Sequence, residues 1–476
     1  MSAPRAAEKV RLRVMGPAIT AGEVEAILKQ VAQRCRAAAR PRPTVNARLR
    51  LLWLPLLLIG VAAVRAQPTV TIVLDHVRLI DGTGTPPRDD MRIVVRGDRI
   101  VSVQREGEAG PATPPDAERI DLGGRVVMPG LIDLHFHVER DPRLAVRQLA
   151  NGVTSFRDPG QWIDQFDSLK AIVRSEHLPG PRMALAGPHI DGEHPAYPLD
   201  AIVARDPEEA RRAAERNIAD GATALKIYFR LPLASAMAVV RVCRAHDVPC
   251  TAHLEILDAR DLLLEGLDGL EHITSMGTSV VPFRRAERYR QAVLADNDAR
   301  RDGRYALFAD ADLAGAEARR LYEVLQRTHP FVNPTLAVFE VRAGRPREGS
   351  KQDPTVDVKG YAQMKALTLA AFQHGARLTL GGHSTVPFAG RGEAPWREME
   401  VLVESGLTPL QAITAATQTS AASLRRPTDL GTIEAGKLAD LIVLGQDPSR
   451  DIRAIRTVQR VMSGGTWVDV ARYRTW

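Results

Sequence analysis

Between Gly130 and Gly382 the chain alternates short apolar runs with helix-period stretches, and it does so eight times. The runs are 130–137, 153–158, 182–187, 224–229, 248–254, 269–273, 331–336 and 377–382, with helical patterns such as 207–220 and 233–246 between them. Repeated strand–helix alternation predicts an α/β fold, a parallel (β/α)8 TIM barrel. The stretch 274–330 is too long for one loop and one helix. It predicts extra helices over the barrel mouth, with the charged cluster 284–304 as their solvated face.

The flanks read differently. Segments 69–79, 91–103 and 119–127 alternate apolar and polar residues between Gly and Pro breaks, as short antiparallel strands do. Segments 439–444 and 457–470 repeat that texture, with Gly436, Gly464 and Gly465 at turns. The ends of a domain usually lie close together, so both flanks are expected to build one small β-sandwich. The expected order is a leader (1–66), the N-terminal sandwich part (67–128), the barrel (129–427) and the C-terminal sandwich part (428–476).

Within the leader, the apolar run 51–64 follows Arg48 and Arg50 and ends in Val64-Arg65-Ala66, small residues where a signal peptidase reads. The run falls short of the roughly 20 residues of a membrane span and contains Pro55. Cleavage after Ala66 and export to the periplasm or medium are expected, and the residue directly after that point is Gln67, not a cysteine that could carry a lipid anchor. Residues 1–66 hold 12 of the 64 basic and 3 of the 57 acidic residues, so the remaining 410 hold 52 and 54 and are nearly neutral. The net charge of +7 therefore belongs to the leader, and a nucleic-acid-binding surface is excluded. Of three cysteines, Cys35 falls in the leader; Cys243 and Cys250 fit either a disulfide or two small buried residues.

The histidines carry the chemistry. His135 and His137 end the first run at i and i+2, a strand spacing that points two imidazoles to one face, where they can share a metal. His253 ends the fifth run and His272 the sixth. Lys226 sits inside the fourth, where a bare ammonium is costly to bury and where a carboxylated amine on a metal would relieve that cost. Any one of these alone fits a hydrogen-bonded core histidine or a lysine reaching the barrel end; together, at strand ends, they form a constellation. His189, Asp191 and His194 after the third run, with Tyr228 and Arg230 after Lys226, are substrate-contact candidates or plain solvated turn.

Six segments carry a family likeness: Val127 to His137 (VMPGLIDLHFH), 225–227 (LKI), 252–254 (AHL), 269–273 (GLEHI), 408–417 (TPLQAITAAT) and 431–444 (GTIEAGKLADLIVL). Over nearly all of 70–470 the chain resembles the amidohydrolase superfamily, most of all its prolidase and imidazolonepropionase branch. That resemblance implies hydrolysis of a C–N bond in a small amide, dipeptide or cyclic amide. It also implies one or two divalent ions, zinc foremost: His135 and His137 on the first, His253 and His272 on the second, and a carboxylated Lys226 bridging them.

One position departs from the pattern. The family ends its eighth strand with an Asp that binds the first metal and moves the proton of the attacking water; here the segment reads Leu-Gly-Gly-His-Ser-Thr, with His383 at that place. An imidazole nitrogen can ligate or carry a proton, not both at once. His383 is thus expected to substitute as the catalytic proton carrier or as a ligand. The rival readings are a barrel that binds metal and ligand without turnover, and a non-hydrolytic isomerase or decarboxylase. The expected partner is a small amide or dipeptide-like molecule, with a homo-oligomer left open.

Overall fold

Residues 70–138, 141–342 and 349–476 are described by the structure, a computed structural model, and all lie in the unit Pro68–Trp476. The signal run, its cleavage point and Cys35 fall outside the described residues. The chain enters through β1 (Thr71–Leu79), β2 (Arg88–Arg96), β3 (Arg99–Arg105), β4 (Glu118–Asp121) and β5 (Val126–Pro129). The segment 91–103, expected as one strand, is a hairpin turning at Gly97, whose φ is +58°. The segment 119–127 likewise divides into β4 and β5, and both pair parallel to β1, not antiparallel. Alternation reports a half-buried strand but not the direction of its neighbour.

The middle then delivers β6 (Leu131–Asp133), α1 (Pro142–Ala150), β7 (Val153–Asp158), α2 (Asp167–Ser175) and β8 (Arg182–Leu185). There follow β9 (His189–Asp191), β10 (Ala201–Val203), α3 (Pro207–Ala219), β11 (Leu225–Ile227), α4 (Leu233–Ala245), β12 (Cys250–Ala252), α5 (Ala259–Glu265) and β13 (Gly269–Glu271). Three helices of the long insertion come next, α6 (Phe283–Ala295), α7 (Ala299–Ala309) and α8 (Ala316–Thr328), and then β14 (Phe331–Asn333), α9 (Leu336–Phe339), α10 (Pro354–Gln373), β15 (Arg377–Leu378) and α11 (Ala394–Glu404). All eight expected runs contain a strand, and every pairing among them is parallel.

These strands form a three-stranded sheet, β6-β7-β8, and a seven-stranded one, β10-β9-β11-β12-β13-β14-β15. The break between them follows the third run: β8 pairs with β7, and after Pro188 the chain re-enters as β9, a strand outside the expected runs, beside β11. At the other margin Leu134 N–H donates to Leu380 O at 2.8 Å and His383 N–H to His135 O at 2.7 Å, drawing the first and eighth runs together. No helix among the described residues is long and apolar enough to cross a membrane.

The far end returns as β16 (Leu441–Leu444), β17 (Val458–Ser463) and β18 (Thr466–Trp467), completing an eight-stranded sheet ordered β18-β17-β16-β5-β1-β2-β3 with β4 on β1. In β16 the period-two rule puts Leu441 and Val443 in the core of this sheet and Ile442 and Leu444 in the core around the parallel strands. One strand buried on both faces thus joins the two layers. Arg182 Nε and Nη2 grip Asp440 at 2.8 and 3.1 Å across the same boundary. Cys243 and Cys250 are free and buried, with a thiol hydrogen bond between them.

Candidate metal centre

At the C-terminal ends of the parallel strands lies a cavity of about 630 Å³, a volume typical of small-molecule sites. His135, His137, Lys226, His253, His272 and His383 all line it, joined by His189 and Tyr228. The imidazoles form a continuous group: ring centroids are 5.1 Å apart for His135–His137, 4.4 Å for His135–His272, 4.5 Å for His253–His272 and 5.3 Å for His137–His383. One ring nitrogen from each of His135, His137 and His383 lies within 4.8 Å of the others.

Burial sets the protonation of this group. It pushes His135, His137 and His272 well below the ordinary histidine value, and His253 and His383 to about 4. Neutral imidazoles are what a divalent ion requires. Lys226 is 2% exposed and has no carboxylate in ion-pairing range among the described residues; burial lowers it to about 8. Two site histidines also sit on unusual backbone: His272 has φ +63° and ψ 137°, and His383 has φ +61°. For a side chain with a Cβ such dihedrals cost of order 1–3 kcal/mol each and persist where surrounding structure enforces them.

The groups that enforce the geometry are carboxylates that the sequence reading passed over. His135 Nδ1 lies 2.7 Å from Glu271 Oε2, leaving Nε2 to face the cluster, and Glu271 is itself paired with the buried Arg157. A carboxylate behind a ligating histidine fixes its tautomer and orientation. His253 Nε2 meets Glu255 Oε2 at 2.8 Å, and Glu255 further accepts from Thr274 and Tyr289 and pairs with Arg304. That bond leaves His253 Nδ1 buried with no partner. Asp133 Oδ1 accepts from His135 N at 3.1 Å and Gly382 N at 2.8 Å, tying the first run to the eighth, while burial pushes its carboxyl to about 7. An orphaned nitrogen, carboxylate-backed imidazoles and a neutral donor set together fit a divalent ion.

Comparison with known proteins bears on this arrangement. Residues 369–468 match the family model described as the amidohydrolase family. A 103-residue segment is 31% identical to an adenine deaminase of Rubrobacter xylanophilus, covering 22% of this chain and 16% of that protein. A 123-residue segment is 37% identical to an N-substituted formamide deformylase of Arthrobacter pascens, covering 23% and 22%. The chain thus spans less than a quarter of the curated relatives it matches. In fold, a crystal structure of a Xaa-Pro dipeptidase superposes with TM-score 0.64 at 21% identity, over 84% of this chain and 99% of that one. Residues 369–468 are thus similar to the amidohydrolase family, and the likeness in fold extends over most of the chain.

At the position where the resemblance led to an Asp, His383 stands beside His135 and His137. Two expected contacts do not reach the cavity. Asp191 accepts from Gly192 N and Arg230 N, both near 2.8–2.9 Å, and so braces its own turn. Arg230 is occupied by Val293 O, Leu294 O, Asn297 and Glu193 O, clamping the loop to α6. His194 is not in the lining either. The segment around His189, open to reading as solvated turn, is the buried strand β9. The cluster 284–304 is solvated only in part: Arg300 is 6% exposed, and Arg300, Arg301 and Arg304 line the cavity.

Proposed function

We propose that this protein is an exported, metal-dependent hydrolase of a C–N bond in a small amide, dipeptide or cyclic amide, with its two parallel sheets closing as a (β/α)8 barrel beside a terminal β-sandwich. The observation that carries the reading is the convergence of five neutral histidines and one buried lysine on a single cavity. A divalent ion, zinc by the chemistry of the donors, would be held by His135, His137 and His383, with Lys226, His253 and His272 for a second, and when bound it supplies carbonyl polarisation and water acidified toward neutral pH.

The chain's own residues supply the rest. His383 is assigned to the donor set, because its clustering with His135 and His137 favours a ligand over a free base. Lys226, lowered to about 8, has a neutral amine fraction near neutral pH; that amine can take up carbon dioxide to give the carbamate the family uses, and uncarboxylated it is the cavity group best matched to accepting a proton. His189, pushed to about 3, and Tyr228, pushed well above its ordinary value, remain neutral N–H and O–H donors. Donors of that kind stabilise the oxyanion that forms as water attacks the carbonyl. Export rests on the 51–64 run, and an N-terminus at Gln67 in the secreted protein would support it.

The test is turnover of a panel of dipeptides, N-acyl amino acids and cyclic amides, read by product mass. Products heavier by one water, abolished by chelator and restored by Zn²⁺, are expected. Isomeric or decarboxylated products, or binding without turnover, would sink the reading.

A further inference from the structure

Glu255 lies two residues beyond His253 and is buried. Its Oε2 meets His253 Nε2 at 2.8 Å and accepts from the Thr274 hydroxyl at 3.1 Å, while its Oε1 accepts from the Tyr289 hydroxyl and pairs with Arg304 Nε at 3.3 Å. Thr274 follows His272 by two positions, Tyr289 lies on α6 and Arg304 on α7. One carboxylate therefore ties His253 to the segment after His272 and to two helices of the long insertion.

Backbone is shaped around this arrangement in two places. Glu255 has φ +30°, a conformation that a residue with a Cβ keeps only where the surrounding structure enforces it. Gly303 lies inside α7, where glycine weakens a helix by about 1 kcal/mol relative to alanine. A Cβ at Gly303 would stand 2.7 Å from Tyr289 Cε2, so only glycine lets α7 close on the Tyr289 ring. With Nε2 held by Glu255, His253 Nδ1 is left buried without a partner. A carboxylate behind a histidine fixes which nitrogen is free to ligate. His135 carries the same device, but there Glu271 is paired with Arg157 of β7, within the parallel strands. For His253 the hold comes from the insertion.

We propose that Tyr289 is a positioning residue of the metal centre, acting on His253 through Glu255, and that the insertion 274–330 is thereby a structural part of the site for the second ion. The inference rests on the donor set assigned above, in which His253 and His272 serve that ion. The first ion, on His135, His137 and His383, does not depend on the insertion in this way.

The experiment compares the full chain with Tyr289→Phe, which removes one hydroxyl, with Glu255→Gln, with the double variant and with Tyr322→Phe as a control. Tyr322 is also a buried tyrosine of the insertion, but its hydroxyl donates to Leu313 O at 3.0 Å. Each protein is checked by its melting temperature, and Zn²⁺ stoichiometry and affinity are read by mass spectrometry and chelator competition. The wild type is expected to hold two ions. Tyr289→Phe should weaken the second by roughly tenfold or more, the scale for groups that orient a ligand, and leave the first unchanged; Tyr322→Phe should keep both. In Glu255→Gln the second ion is weakened already, and adding Tyr289→Phe should weaken it no further, because the hydroxyl acts only through that carboxylate. Should Glu255→Gln not fold, Tyr289→Phe against Tyr322→Phe still decides. A Tyr289→Phe protein that binds both ions as the wild type does, weakens both alike, or adds its full effect to that of Glu255→Gln overturns the proposal. A wild type that turns over with a single ion overturns it and leaves the hydrolase reading standing. A wild type that holds two ions and turns nothing over rejects the hydrolase reading, while the variants still decide the role of Tyr289.

Discussion

Gly381 and Gly382 precede His383 because nothing larger fits. A Cβ on Gly381 would lie 1.8 Å from Asn333 Oδ1, and one on Gly382 would meet Pro395 N at 2.7 Å and Asp133 Oδ2 at 2.8 Å. Pro395 N is backbone and cannot yield cheaply, so Gly382→Ala must move the segment that carries His383. We expect that variant to remain folded, losing of order 1–3 kcal/mol to overpacking, and to lose metal affinity and turnover by at least about tenfold, on the scale seen when groups orienting a ligand are removed. Unchanged metal content in Gly382→Ala would contradict this. That His135, His137 and His383 come together was legible in part: the i, i+2 spacing suggested a shared face, but β6 ends at Asp133 and the two imidazoles project from the segment just after it. Their supports were not: Glu271 meets His135 across 136 positions and Asp133 meets Gly382 across 249. Composition along a strand carries no trace of such partners.

At the scale of elements, α9 is held to α11 by one buried carboxylate. Glu398 accepts from Leu336 N at 2.9 Å and Ala337 N at 2.7 Å, beside the cavity residues Val338 and Phe339. Burial raises its pKa to about 8, against the lowering effect of the two N–H groups. The folded state thus holds this proton more tightly than the unfolded chain, where a Glu titrates near about 4.3. The stability gained is complete below that unfolded value and is lost as pH rises through about 8. Glu398→Gln, neutral at every pH but with an NH2 that cannot accept the second backbone N–H, should lower the melting temperature yet flatten its fall between about pH 5 and pH 9; parallel profiles for the two proteins would refute it. Eight strands and the helices between them were readable because parallel strands buried on both faces are continuous apolar runs. Two features were not. β9, with His189 and Asp191, looked like a polar loop because its polar side chains face inward: Asp191 Oδ1 accepts from Gly192 N and Arg230 N, and His189 lines the cavity with its Nε2 buried and unpartnered. α7 looked like a solvated helix because charge on a helix signals water until another layer covers it, and Arg300 is covered by Tyr197 and Phe229.

Across the whole molecule, the two ends of the described chain form one sheet, and that sheet positions the site. β5 leads through Gly130 into β6, Gly130 N–H donates to Asp440 O, and the strand that leads to His135 therefore starts from a point fixed by the C-terminal strands. Pairing of distant ends was foreseeable from matching textures at both flanks. Its parallel pairs to β1 were not, since pairing direction depends on the connection and not on the strand. The account rests on one claim, that three imidazoles from the first and eighth runs hold a divalent ion which the hydrolysis needs. The most direct test is metal content by mass spectrometry of the purified full chain after Zn²⁺ supplementation, wild type beside His383→Ala, with both shown to be folded. The account predicts one or two ions per wild-type chain and a clear loss of metal together with turnover in His383→Ala. A folded wild type without metal, or a His383→Ala protein that keeps its full metal content, would contradict it.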